Sequence, residues 1–458
     1  MIDEDKTLSA STRTVFEVLL LVIGLLSDRL GINSKNSSKP PSSDPNREKK
    51  PRSRSAKKAG GQKGRVGKAL EQFDAPDIIH FIKIDKRILP KGQYTAIGVE
   101  KRQVIDIEIQ RSITEYQAEI LKDKKGNKVV APFPDGITSP IQYGNQVKAH
   151  AVYLSQYQLL PYNRVEEYFS DQLGIAVSAG AIFNFNQQAS ALLVSSGIEG
   201  VIKDQLGQSN CLHADETGMN VGGERHWLHC ASDLKWTYLY PHKKRGCEAI
   251  SAMGILPTYS GVVCHDHWKP YYQYTDFSHA LCNAHHLREL EFAWEKDQQK
   301  WAKDMQSLLI SINKKVETSG GELTASQAGY YRKKYRDLLM KADIECPPPT
   351  AEPPKRGRQK KSKSRNLLER LRAFESDVLR FMTSSDIPFT NNQGERDIRM
   401  TKVQQKISGC FRSMGGAESF CRIRSYLSTC KKQSITATHA LTSLFSGQRP
   451  KIFDIEAE

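Results

Sequence analysis

Three acidic side chains far apart in the chain could do chemistry together: Asp215 in LHADET, Asp266 in CHDHWKPYY and Glu395 in TNNQGER. The first two close runs that read as strands, and the third opens a run that reads as a helix. Carboxylates delivered this way can converge at one end of a sheet and hold two divalent cations. Such a pair, roughly 3.5–4 Å apart, clamps the attacking and leaving oxygens of an in-line phosphoryl displacement. All-oxygen ligation suits a hard cation, so two Mg2+ are expected, with Mn2+ able to substitute. Taken singly, each acid is more often structural; the three together in a basic chain shift the balance toward phosphoryl transfer on DNA.

The residues around Glu395 support that reading. Arg396, Arg399, Lys402 and Lys406 follow it, and positions 395, 399, 402 and 406 share one helical face. An acid followed by a row of cations suits a site that holds metal and phosphate side by side. A capping acid on a solvated basic face is the plainer alternative. Asn391 and Asn392 are good residues to cap the start of that helix.

The elements that must position these groups can be read from the pattern. Thr14 to Leu30 is one helix closed by Gly31, apolar nearly all round, so it should be buried against a partner helix or within its own monomer. Residues 33–68 carry twelve Lys/Arg with Pro, Ser and Gly between them, including Lys49, Lys50, Arg52, Arg54, Lys57 and Lys58. Such a stretch builds no core and is expected to be a disordered arm that binds DNA through counterion release, blind to sequence. Residues 77–130 alternate apolar and polar positions, as in IIHFIKI and RQVIDIEIQ, and read as short strands. Helices follow over 146–190: one ends at Gly174, and Ser178 caps the next, an arrangement that allows either a helix-turn-helix or ordinary packing. NCLHAD, HWLHCASD, KWTYLYPH and GVVCHD read as four strands, with the helical EAISAMGIL before the last. Long helices over 280–345, a Pro- and Lys-rich loop, and a helix over 366–382 separate Asp266 from Glu395 by 129 positions.

Composition narrows the function. The 458 residues have a formal net charge of +16 and 38% hydrophobic content, which points to a polyanionic partner, nucleic acid before an anionic membrane. The nine Cys form no CxxC pair, which fits a reducing cytoplasm. The apolar run Val15–Leu26 is too short to span a bilayer and lacks a signal-peptide pattern, so no membrane association is expected. GxxxxGK(S/T), GxSxG and HExxH are all absent, against ATP hydrolysis, serine esterase and zinc-protease chemistry.

LHADETGMNV, YSGVVCHDHWKPYY, LCNAHHLREL and PFTNNQGERDIRMTKVQQKISGCFRS resemble the bacterial insertion-sequence-66 type transposases. So do GINSKNSSKPPSSDPN, GGQKGRVGKAL and APFPDGITSPIQYG, and the resemblance keeps family order from about residue 30 to 435. It implies an α/β fold: a ribonuclease-H-like mixed sheet with a DDE triad at Asp215, Asp266 and Glu395. Metal-dependent 3′-end cleavage and strand transfer of an insertion sequence would follow. The implied organisation is a self-associating helix over 1–32, the basic linker 33–70, a small β-rich module over 71–140, a helical region over 141–205, and a catalytic domain over 206–435 with an insertion at about 280–385, before a tail over 436–458. The implied partners are the element's ends, target DNA, further copies of the chain and companion proteins from the same element, in the cytoplasm at the nucleoid. Arg245 matches a family arginine expected at phosphate.

One departure stands out. Relatives carry a small zinc module built on Cys pairs, and residues 71–140 contain no Cys, so a tetrahedral thiolate site cannot form there. Cys282 and His285 match a CxxH pattern seen after the second Asp in several transposase groups. Two ligands are too few for a closed site, so a structural role near the active site, and no zinc, is expected. The departure favours one alternative, an inactive or decaying copy that only binds DNA; a nuclease of the same fold that cuts without joining is a second alternative.

Overall fold

The computed structural model describes residues 10–33, 35–37, 44, 70–349 and 361–454; Lys49, Lys50, Arg52, Arg54, Lys57 and Lys58 lie outside them. Helix α1 (Ala10–Gly31) leaves Val15, Val18, Leu19, Leu20, Ile23 and Leu26 exposed. Its expected burial is therefore not met by this chain's own described residues.

The run 71–140 is a clear difference from expectation. IIHFIKI and RQVIDIEIQ form no strands, and the paired segments are one hairpin, β1 (Ile120–Lys122) with β2 (Lys128–Val130). The physical reason is visible in the burial. Ile78, Ile82, Val104 and Ile107 are all exposed, so the apolar alternation has no second layer to pack on, and an isolated two-stranded hairpin is marginal at best.

From residue 145 the chain builds a core. Helix α2 (Asn145–Val152) runs into a wide turn over Tyr153–Tyr157. Helix α3 (Tyr162–Leu173) ends at Gly174, at φ +60°. Helix α4 (Ala179–Ser195) is capped by Ser178, whose Oγ accepts from the Ala181 N–H at 3.2 Å, and α5 (Ile198–Gly207) follows.

The central sheet comprises β3 (Cys211–Val221), β4 (Glu224–Ser232), β5 (Thr237–His242), β6 (Val262–His265) and β7 (Ser278–Leu281), with α6 (Cys247–Met253) between β5 and β6. Its order is β5-β4-β3-β6-β7. The first three strands form an antiparallel meander, and β6 and β7 run parallel to β3. The β3–β4 turn is Gly222–Gly223, at φ +59° and +84°, the two left-handed residues that the tightest hairpin demands. This turn keeps β3 paired far beyond its expected end. Asp215 therefore lies within a long strand, not at its close, whereas Asp266 does directly follow β6.

A helical insertion follows: α7 (Asn283–Glu295), α8 (Lys300–Thr318), α9 (Ala325–Glu345), α10 (Lys363–Ala373) and α11 (Glu375–Val378). Its core, including Trp301, Met305, Leu309, Tyr335, Leu368 and Leu371, is continuous with Cys264, Ala280 and Leu281 of the sheet. A Thr324–Gln327 capping box starts α9. The single helix expected over 366–382 is broken into α10, α11 and a turn over Arg380–Met382, and β7 occupies the start of the segment read as helical.

The chain then returns through α12 (Asn392–Ser408), α13 (Met414–Lys432) and α14 (Ala437–Phe445). Helix α13 lies along β5, where Ser425 Oγ and Thr429 Oγ1 accept from the Leu239 and Thr237 N–H groups at 2.9 and 3.1 Å. The segment after 436 is thus no loose end, since α14 buries Ala440, Leu441 and Leu444 in the core shared with α2 and α4. Helix α4 contains no Lys or Arg and buries Ile182, Phe185, Ala189 and Leu193 there. It is a packing helix in this fold. Among the described residues no helix is long and apolar enough to cross a membrane.

Candidate active site

The parallel pairing of β3 with β6 sets the site. Cys211, Leu212 and His213 stand opposite Val262, Val263 and Cys264. The same offset, carried past the end of β6, would set Asp215 level with Asp266, and the Asp266 charge does act on the Asp215 carboxyl. In-register residues of parallel neighbours point to the same face, and adjacent strands lie roughly 4.8 Å apart. The two carboxylates are neighbours because of strand register, although 50 residues of meander and helix separate them in the chain.

Helix α12 brings in Glu395, and Asn391 holds the helix in place. Asn391 sits at the N-cap position, but its side chain makes no cap hydrogen bond. Instead Nδ2 donates to the Ala214 carbonyl at 2.8 Å, Oδ1 meets His213 Nδ1 at 2.8 Å, and the backbone N–H points to Cys282 Sγ at 3.1 Å. The expected cap is a bolt between helix and strand. One turn on, a Cβ at Gly394 would lie 3.3 Å from Asp215 Cβ, tighter than ordinary contact. A side chain there would need the Asn391 amide or Asp215 to give by a few tenths of an ångström.

The carboxylates have few cationic partners of their own. Asp215 Oδ1 accepts the Glu216 N–H at 2.9 Å, and Asp266 Oδ1 accepts the Trp268 N–H at 3.0 Å. Among the described residues no Lys or Arg comes within 4 Å of either. Glu395 has Arg288 at 3.7 Å. Burial, then the nearby charges of Glu216, Asp266 and Glu395, push the Asp215 carboxyl well above its usual range. The donors are all oxygen and their mutual repulsion is what a divalent cation would remove, but the oxygens of Asp215, Asp266 and Glu395 do not all lie within 4.8 Å of one another, so holding an ion among them would take side-chain closure.

That shift makes a prediction. Because the folded carboxyl is harder to ionise than the unfolded one, its negative charge opposes folding at neutral pH, and the penalty fades as pH falls and the group is protonated. In chelator at neutral pH, Asp215→Asn is expected to raise the melting temperature by a few degrees, and the gain should vanish in the acid range. A melting temperature at or below wild type at neutral pH would contradict this. Asn391→Ala strands the Ala214 carbonyl and His213 together. It should cost about 2–4 kcal/mol by denaturant unfolding, and a loss under about 0.5 kcal/mol would show that the bolt carries no weight.

Glu216 is the acid the sequence reading passed over. Its side chain is only 2% exposed, and Oε1 accepts from Arg245 at 2.6 Å while Oε2 accepts from the Tyr271 hydroxyl at 2.8 Å. The Arg245 guanidinium lies over the rings of Trp227 and Trp268, at 4.8 and 4.4 Å. Arg245 is thus placed beside the carboxylates but spends two donors on Glu216. Tyr271 is buried and Trp268 is covered by Arg245, so both aromatics serve the packing around Glu216. His267, next to Asp266, has φ +71°, unusual for a side chain with a Cβ, and its ring rests on Phe374 at 4.5 Å. Strain of this kind gathers at functional sites.

The α12 cations extend away from the cluster. Arg396, Arg399 and Lys406 are exposed, and Lys402 Nζ donates to the Gly218 carbonyl at 2.5 Å. Arg225, which sequence reading missed, crosses the strand over Gly218, where a Cβ would lie 2.6 Å from its guanidinium. Cys282 and His285 come to the same place: their ligand atoms and a Glu395 oxygen all lie within 4.8 Å of one another.

Fold and site define an α/β protein with a five-stranded mixed sheet and a half-buried carboxylate cluster under a basic helix. Residues 140–419 match the model of the Transposase IS66 family, and the chain belongs to that family. Residues 4–71 match a family of unknown function (DUF6444). No curated protein matches the chain.

Proposed function

We propose that this chain is a DDE transposase with a ribonuclease-H-like core, cutting the 3′ ends of an insertion sequence and joining them to target DNA. The observation that supports the reading is the parallel pairing of β3 with β6, which brings Asp215 and the end of β6 before Asp266 together, with α12 and its Glu395 tied to β3 by Asn391. The strand order β5-β4-β3-β6-β7, with an antiparallel meander leading into two parallel strands, supports the core assignment.

Asp215, Asp266 and Glu395 would hold two Mg2+ ions, the donor set being all oxygen. When bound, such ions lower the pKa of an attacking hydroxyl and stabilise the leaving oxygen. The protein's own part is to align the strands. Arg396, Arg399, Lys402 and Lys406 run on from the acid along α12 and would seat the backbone phosphates, with Arg225 and Arg245 flanking the sheet. In the first step water attacks the phosphorus at the element's end, the P–O3′ bond breaks and a 3′-hydroxyl is released. In the second that hydroxyl attacks a target phosphorus and displaces another 3′ oxygen. No covalent protein–DNA bond is needed. The work would take place on chromosomal DNA, by an oligomer of this chain and with companion proteins of the element.

The test is an assay with labelled element-end DNA, target DNA and Mg2+. A nick leaving a 3′-hydroxyl, followed by a joined product, is expected. Nicking without joining would make the chain a nuclease, and binding without nicking would make it an inactive copy.

A further inference from the structure

Of the nine cysteines, all free, Cys282 has a histidine and a carboxylate within ligand reach: Cys282 Sγ, a His285 ring nitrogen and a Glu395 oxygen lie within 4.8 Å of one another. A tetrahedral zinc site with bonds of about 2.3 Å to sulfur and 2.0–2.1 Å to nitrogen or oxygen spaces its ligands roughly 3.5 Å apart. Side-chain closure of about 1 Å would complete it.

Three further observations separate this cluster from a chance meeting. Cys282 occupies the N-cap of α7, with its thiol buried at the positive end of a 13-residue helix. The Asn391 N–H donates to its sulfur at 3.1 Å, so α12 and α7 already meet at this atom, and burial pushes the free thiol up, so a bound cation would be what draws off its proton. His285 Nδ1 is buried and has no hydrogen-bond partner, a costly state for a ring nitrogen unless something binds it.

We infer that Cys282, His285 and Glu395 form a three-ligand site for a borderline-soft divalent cation, Zn2+ first, with the fourth position open to water. On binding, the Cys282 thiol gives its proton to solvent as the metal–sulfur bond forms, and neutral His285 supplies a ring lone pair. The ion would tie the first helix of the insertion to α12 across more than 100 residues of chain. It would also share Glu395 with the Asp215–Asp266 cluster, so the insertion and the carboxylate cluster become mechanically linked. The sulfur and nitrogen donors favour Zn2+ at this position over the hard cation expected between the aspartates. The site needs no catalytic competence and stands whether or not the chain cuts DNA.

The experiment uses full-length protein stripped with chelator and reloaded with Co2+, then with Zn2+. One equivalent of Co2+ is expected, with the near-ultraviolet thiolate charge-transfer band and the strong visible bands of tetrahedral Co2+, displaced by one Zn2+. Cys282→Ser should abolish the charge-transfer band. His285→Gln should weaken binding by more than the ~10–100-fold that an outer-shell partner costs. Asp215→Asn and Asp266→Asn should keep both band and stoichiometry, as should Cys410→Ser, which removes the exposed thiol. Absence of stoichiometric binding, a spectrum with no thiolate band, or a band that survives in Cys282→Ser would overturn the assignment. Should Cys282→Ser fail to fold, His285→Gln decides: unchanged affinity overturns it. Loss of cleavage in Asp215→Asn with the cobalt spectrum intact would separate this site from the catalytic reading.

Discussion

Asp215→Asn, Asp266→Asn and Glu395→Gln are each expected to reduce Mg2+-dependent cleavage of element-end DNA by on the order of 10^3-fold or more, about 4 kcal/mol of barrier. Each removes one charged ligand and leaves a side chain of the same shape, so the sheet and the α12 contact should persist. Binding of the same DNA should therefore stay within a few-fold of wild type, read by gel shift at fixed salt. The three losses should also fail to add, because ligands of one metal centre act as a unit. A variant that retains full cleavage would take its residue out of the mechanism, and loss of binding in step with cleavage would point to a folding defect instead. Unfolding curves in chelator distinguish these, since Asp215→Asn is expected to be the more stable protein.

Removing the basic arm should give the largest change in binding. Residues 45–68 contain ten Lys/Arg, and deleting them spares the turn where Asn36 Nδ2 donates to Glu295 at 3.2 Å. Each phosphate neutralised contributes roughly 0.9 to the slope of log affinity against log salt. If about half of these cations lie on phosphate, the slope should flatten by about 4–5 units, and affinity should fall for every DNA sequence alike. An unchanged slope would show that the arm is a spacer. A loss confined to element ends would mean that it reads sequence.

Part of the fold around the candidate site was legible in the sequence, and the reasons the rest was not are physical. The four strands around Asp215 and Asp266 announced themselves through short apolar runs, and Gly174 and Ser178 marked helix ends that the structure keeps. The length of β3 was hidden because ETGMNV is not apolar; it is held in the sheet by the Gly222–Gly223 turn and by pairing with β4, both long-range effects. Glu216 was passed over because two adjacent acids on a strand face opposite ways, and sequence does not say which has a partner. Its partners Arg245 and Tyr271 are 29 and 55 residues away. Asn391 was placed correctly at a helix start, yet its side chain serves β3, because a buried carbonyl at Ala214 outweighs an exposed cap. The alternation over 77–130 predicts strands, and outside the hairpin of Ile120–Lys122 with Lys128–Val130 the local pattern misleads: period-two hydrophobicity makes a sheet only when a second layer covers it.

The central claim is that Asp215, Asp266 and Glu395 together grip divalent metal, and anomalous scattering from crystals of the protein with element-end DNA and Mn2+ tests it most directly. The account predicts manganese peaks between the two aspartates, with Glu395 ligating one of them, and their loss in Asp266→Asn crystals. Peaks that lie away from all three carboxylates, or a well-ordered complex in which Glu395 stays out of reach of any ion at the aspartates, would contradict it.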